Sequence, residues 1–291
     1  MYVDHNYHQN PTEVQNIEQP PELRDHIYSK PQEWGTLIRP KYADDIGWGA
    51  ANCRHRLDAE RKETIPKLVA RGLRINEAKT EEFTIQENGP EEWKKCKILG
   101  SLLDTTEDIK RRKQLANNAM QKLKHIFENT RLKNKTKLRI FRACVESIFL
   151  YNSELWTVTK TIENKIDSYQ RRLQRRAINI KWPKKISTDR LNEITNDRKW
   201  SDTIRTRRMR WFGHAVRLHC DTPAQQALEE ATRNVKKLRG GQKATWIKIL
   251  EKDLKQLGLT INEAKEIAKD RKEWQKIVWK TRLPRAHALC A

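Results

Sequence analysis

A chain of 291 residues with 60 lysines and arginines against 38 aspartates and glutamates carries a formal net charge of +22. That excess points to polyanionic partners, nucleic acid first, because cationic side chains release the counterions condensed on phosphates. Only 36% of the residues are hydrophobic, and no apolar run approaches the roughly 20 residues of a membrane-spanning helix. The opening MYVDHNYHQN lacks the basic-then-apolar order of a secretory signal. The five cysteines, Cys53, Cys96, Cys144, Cys220 and Cys290, stand singly. This argues against a disulfide scaffold and fits a reducing intracellular compartment, nuclear or cytoplasmic.

Residues 1–38 hold Pro11, Pro20, Pro21 and Pro31 without sustained periodicity, so an irregular or disordered leader is expected. TLIRPKYADDIGWGA predicts two short strands around a turn at Ala43 to Asp45. Residues 52–71 have a helical pattern, with Leu57, Ile65 and Leu68 or Val69 inward and a kink expected before Pro66. Gly72 stops that helix, GLRINEAKTEEFTI reads as extended chain, and WKKCKILGSLL predicts another short strand pair.

From Thr105 the pattern becomes helix after helix. Asp104 and Thr105 precede Glu107 and Asp108, an N-cap with acids in the first turn. Ile109, Ala116, Met120, Leu123 and Phe127 then share one face. A second helix over 135–151 carries Leu138, Phe141, Val145, Ile148 and Phe149. A third carries Ile162, Ile166, Tyr169, Leu173 and Ala177 on one side and Arg171, Arg172, Arg175 and Arg176 on the other, until KWPKK at 181–185 breaks it. These three stripes predict a compact three-helix unit over 105–180.

A fourth helix, about 197–218, has Trp200, Ile204, Trp211, Ala215 and Leu218 in register, surrounded by Arg205, Arg207, Arg208, Arg210 and Arg217. His214, His219 and Cys220 are close in sequence but lack the second ligand pair usual in zinc sites. KKLRGGQKATW is a basic glycine hinge. A helical hairpin follows, with Trp246, Leu250 and Leu254 on its first arm and a stop at Gly258. Its second arm opens with a Thr260–Glu263 capping box and carries Ala264, Ile267 or Ala268, Trp274 and Val278. The expected class is α+β, mostly α-helical.

The adjacent carboxylates Asp44 and Asp45 are unusual in so basic a chain. Aspartates are common in solvated turns, but a turn between two short strands projects both from a rigid tip, and hard oxygen ligands suit Mg²⁺. YADDI at 42–46 resembles the active-site motif of reverse transcriptases, and the sequence after it resembles the non-LTR (LINE-type) retrotransposon branch. GLRINEAKTEEF is similar to that family's palm segment, and KILGSLLDTTEDIKRRKQLANNAMQKL to its primer-gripping turn and first thumb helix. LYNSELWTVTK and RRMRWFGHAVRL resemble its thumb and post-thumb strings. GGQKATWIKILEKDLKQLGLTINEAKEIAKDRKEWQKIV resembles its C-terminal tail. Together they run in the family's order from about 40 to 280.

The resemblance implies an RNA-directed DNA polymerase that extends a primer on an RNA template by two-metal phosphoryl transfer. Asp44 and Asp45 would hold Mg²⁺ or Mn²⁺, Lys79 would help protonate the leaving pyrophosphate, and Tyr42 and Ala43 would lie near the primer end. Leu99 and Gly100, with Ile98, would shape the primer grip, although a buried strand explains the apolar pair equally well. The implied organisation is a partial palm over 39–104, a helical thumb over 105–182, a basic helical region over 183–240 and a helical hairpin over 241–284. Upstream of Tyr42 the only aspartates are Asp4 and Asp25, neither in an apolar strand pattern, and there is no room for fingers. The expectation is therefore an N-terminally truncated chain, inactive by itself. The competing expectation is a non-catalytic helical protein that binds RNA or DNA through Arg171, Arg172, Arg175, Arg176, Arg205, Arg207, Arg208 and Arg210. There Trp182, Trp200 and Trp211 either stack on bases or belong to the core.

Overall fold

The structure, a computed structural model, describes residues 54–82, 91–233 and 244–280, with side chains from Leu57 onward, and the backbone of four two-residue strands ahead of them. Residues 1–36 of the expected leader, Asp44, Cys53, the glycines of the hinge and Cys290 lie outside the described residues, while Leu37 and Ile38, expected to be irregular, form a strand. The chain is mostly helical and divides into two compact units, Met1–Leu99 and Gly100–Ala291.

In the first unit β1 (Leu37–Ile38) pairs antiparallel with β4 (Gly49–Ala50), and between them β2 (Lys41–Tyr42) pairs with β3 (Asp45–Ile46). Tyr42 stands opposite Asp45, which leaves two residues for the turn, the commonest hairpin loop length. Strands are thus present on both sides of the motif, as two nested pairings, but Asp45, expected in the turn, opens β3. Helix α1 (Arg54–Val69) follows and runs through Pro66, with Leu57, Ile65 and Leu68 half-buried and Val69 exposed. Gly72, at φ +78°, caps it: the Gly72 N–H donates to Val69 O at 2.9 Å and the Leu73 N–H to Leu68 O at 3.1 Å. A 3₁₀ turn at Glu77–Lys79 interrupts the chain expected to be extended. The two short strands expected near Cys96, β5 (Lys97–Ile98) and β6 (Ser101–Leu102), lie either side of the division between units.

The second unit starts its helices where the cap signal lies. Asp104 accepts the N–H groups of Thr106 at 2.8 Å and Glu107 at 3.0 Å, opening α2 (Thr105–Lys122), and α3 (Lys124–Glu128) continues it. The second expected helix is α4 (Asn134–Phe141), a π-helical turn at Arg142–Glu146, and α5 (Ser147–Phe149). Helix α6 (Lys160–Ala177) is the third and α8 (Trp200–Val216) the fourth. Two helices were not anticipated: α7 (Thr188–Thr195), capped by the Ser187 hydroxyl, and α9 (Pro223–Arg233). The C-terminal hairpin has α10 (Trp246–Lys255) as its first arm. Its second arm is two helices, α11 (Ile261–Lys269) with the Thr260–Glu263 capping box and α12 (Arg271–Lys280). Asp270 makes the break by taking the N–H groups of Lys272 at 2.7 Å and Glu273 at 3.3 Å.

Helix α8 is shared by two cores. Its first half puts Trp200 and Ile204 among Met120, Phe141, Phe149, Ile166 and Leu173 of α2 to α6. There the Trp200 and Phe149 rings stack at 4.5 Å, each such buried side chain contributing roughly 1.5–3 kcal/mol. Its second half puts Met209, Phe212 and Ala215 among Leu250, Leu254, Ala264, Trp274 and Val278. The three stripes over 105–180 therefore close around a tryptophan from outside that span. A third cluster joins Leu138, Ile178 and Leu191, flanked by Ile180 and Ile186.

Candidate nucleic-acid interface

The residues assigned to chemistry by resemblance lie at or near turns. Tyr42 and Asp45 face each other across the inner hairpin, with Ala43 and Asp44 between them in sequence and outside the described residues. Lys79 ends the 3₁₀ turn and is exposed. Ile98 and Leu99 are exposed, so the alternative of a buried strand there is corrected. Leu99 sits at φ +46°, a left-handed conformation costing a non-glycine residue roughly 1–2 kcal/mol. Gly100 follows at φ +78°, and its carbonyl accepts from Arg111 Nη1 at 2.8 Å and from Arg112 Nη2. The Arg112 guanidinium also lies 4.5 Å from the centre of the Tyr151 ring.

Helix α6 gathers cations around one aromatic ring. Lys165, Tyr169, Arg172 and Arg176 recur at helical spacing and so share a face. The Arg172 guanidinium stands 5.2 Å from the centre of the Tyr169 ring and Lys113 Nζ, from α2, stands 5.5 Å from it. The Tyr169 hydroxyl donates to Lys113 O at 3.0 Å. Burial pushes the Tyr169 pKa up to about 12, against the opposing pull of the Arg172 and Arg176 charges. Burial also lowers the Lys113 pKa, and the positive charges of Arg172 and Lys165 lower it further. Lys113, Lys165, Arg172 and Arg176 make no ion pair with any described residue. Their neighbours Arg171 and Arg175 are half-buried, while Arg172 and Arg176 are exposed.

The arginines of α8 are placed differently from the solvated basic face expected there. Arg208 is only 2% exposed, and its Nη1 donates to Asp253 Oδ2. Arg205 is also buried and donates from Nε to Asp253 Oδ1 at 3.0 Å. Arg207, half-buried, donates to Leu150 O, which leaves Arg210 exposed. Of the tryptophans considered for stacking, Trp200 is core and Trp211 packs edge-on against Trp246 at 5.2 Å. Trp182 is exposed. His219, Cys220 and Asp221, consecutive and exposed, bring ligand atoms within 4.8 Å of one another, and His214 is not among them.

This chain is similar to a transposon-derived protein. An uncharacterized transposon-derived protein of Caenorhabditis elegans is 24% identical over 271 residues, an alignment covering 83% of this chain and 95% of that protein. No protein-family model and no solved structure matches. Among the described residues no helix is long and apolar enough to cross a membrane.

Sequence reading missed Lys165 and Lys113. Lys165 was visible as the residue four before Tyr169 on the stripe that bears Arg172 and Arg176. Lys113 joins them only because α2 packs on α6.

Proposed function

We propose that this chain is a transposable-element protein, the C-terminal part of a non-LTR retrotransposon reverse transcriptase, that binds RNA and DNA but does not by itself polymerise. The transposon-derived relative and the ordered motifs from YADDI onward support the origin. The observation that carries the binding is the group of cations around Tyr169 without a carboxylate partner among the described residues. Like charges crowded on a packed surface repel one another, and a phosphate backbone relieves that repulsion while releasing counterions. A strained, exposed turn at Leu99 and a carboxylate-bearing hairpin fit the palm reading.

Magnesium has no full donor set among the described residues. Two ions need a third carboxylate from a neighbouring palm strand, yet among the described residues β2 and β3 pair only with each other. No step of the polymerase reaction is therefore assigned to this chain. Primer extension on an RNA template, with Mg²⁺ and then Mn²⁺, is expected to give no product above background. Synthesis that disappears in Asp44→Ala would overturn this half-site reading.

Binding is tested by salt titration. With about six phosphates neutralised, affinity for RNA or DNA falls roughly a thousandfold between 50 and 200 mM salt. Replacing Lys165, Arg172 and Arg176 with glutamine should reduce the logarithmic salt slope by about three, at roughly 0.9 per phosphate contact. An unchanged slope would show that phosphates bind elsewhere.

A further inference from the structure

The connection between α6 and α7 carries an indole that the fold leaves unused. Helix α6 ends in a left-handed Asn179, φ +59°, with the Ile180 N–H bonded to Arg175 O at 2.8 Å. Ile180 and Ile186 then pack against the Leu138, Ile178 and Leu191 cluster, which fixes both feet of the loop. Lys181 Nζ donates to Glu128 Oε1 at 2.5 Å, a further tie at the loop's first residue. Between these anchors Lys181, Trp182, Pro183, Lys184 and Lys185 are all exposed. Trp182 is 84% exposed, whereas Trp156, Trp200 and Trp274 are at most 3% exposed. Its ring meets no aromatic or cationic partner among the described residues. Lys184 and Lys185 likewise make no ion pair with a described residue.

We infer that Trp182 is a stacking platform for an unpaired base, with Lys184 and Lys185 meeting the phosphates beside it, so that the chain prefers single-stranded RNA or DNA to duplex. This rests on the nucleic-acid-binding reading above. The platform is anchored before the ligand arrives, so ordering it costs little on binding. An indole stacks on any base, because every base has a π-face. Bases inside a duplex are already stacked on each other and offer it no open face. Anionic lipid headgroups would also attract tryptophan beside lysines, but stable surface attachment scales with buried apolar area. Here the apolar area is one indole and one proline, which favours the nucleic acid.

The test compares the full chain with Trp182→Ala and Trp182→Phe at one fixed salt concentration. The probes are a labelled uridine oligonucleotide, a blunt RNA duplex of equal length and phosphatidylserine-containing vesicles. Trp182→Ala should weaken oligonucleotide binding about tenfold and duplex binding less than about twofold, while Trp182→Phe recovers to within about threefold. An unchanged oligonucleotide affinity in Trp182→Ala, or an equal loss on both nucleic acids, would overturn the platform and leave the binding reading intact. Vesicle binding that needs Trp182 while oligonucleotide binding does not would also overturn it. A full chain that binds neither nucleic acid would remove the binding reading itself, and the platform with it.

Discussion

Gly213→Ala is expected to destabilise the second unit by about 3 kcal/mol, even though alanine is the better helix former by about 1 kcal/mol. Gly213 lies within α8, and a Cβ added there would stand 2.1 Å from Nε1 and 2.2 Å from Cδ1 of Trp274. No real Cβ tolerates that approach, so the indole must move. Trp274 is buried, its Nε1 donates to Met209 O at 2.9 Å, and its ring lies 5.4 Å from Phe212. It is a rigid bicycle held on several sides, without the freedom of a long side-chain tip. Overpacking costs about 1–3 kcal/mol, and stranding the buried N–H and carbonyl adds about 1–3 kcal/mol. These outweigh the gain in helix propensity. For a unit of this size the melting temperature should fall by roughly 10 °C, read by circular dichroism and checked in urea. A stability equal to or above that of the parent chain would show that the indole has room to retreat. Gly258→Ala is the control: it meets no atom within 4 Å and strains only a backbone at φ +72°, so a loss of about 1 kcal/mol is expected.

Asp253→Asn should cost about 3–4 kcal/mol, because it leaves the buried Arg208 guanidinium without its counter-charge and takes the nearest one from Arg205. Asp253 is 4% exposed and accepts from Arg205 and Arg208 on separate oxygens. Among the described residues Arg208 has no other carboxylate as an ion-pair partner, whereas Arg205 also lies 3.7 Å from Glu163 and 3.6 Å from Asp202. Burial already lowers the Arg208 pKa, and Asp253 opposes that fall most, with a smaller contribution from Glu163. Asparagine keeps the shape and removes the charge, so urea denaturation of the full chain reads the electrostatic part. A loss below about 1 kcal/mol would mean that water reaches both guanidiniums. Changing Arg208 to methionine together with Asp253→Leu should recover most of the loss, since an apolar pair needs no compensation. The ion pair also explains why α8 offers fewer arginines to a phosphate backbone than its composition promises.

Local signals made much of this fold legible. Asp104, Gly72, Gly258 and the Thr260–Glu263 box act on backbone groups within a few residues of themselves, so their effect is written where they stand. The stripe from Ile109 to Met120 was equally plain, because one helix repeats its inward face every 3.6 residues. The YADDI hairpin was readable for the same reason, its pairing being between near neighbours. Helices α7 and α9 were missed because they are short and their stripes brief. The break at Asp270 was hidden inside a pattern that stays apolar on both sides of it. Only the tertiary structure decided the start of α8, where no side chain of its own caps the helix. Asp167 of α6 takes the Ser201 N–H at 3.0 Å, and Gln170 takes that of Trp200 at 2.8 Å. It also decided which arginines face water. Arg205 and Arg208 flank the apolar stripe, where their charge alone would favour solvent, but α8 is enclosed by two cores, and the carboxylate that makes their burial tolerable comes from α10. Caps and stripes depend on neighbours in sequence; the compensation of a buried charge depends on neighbours in space.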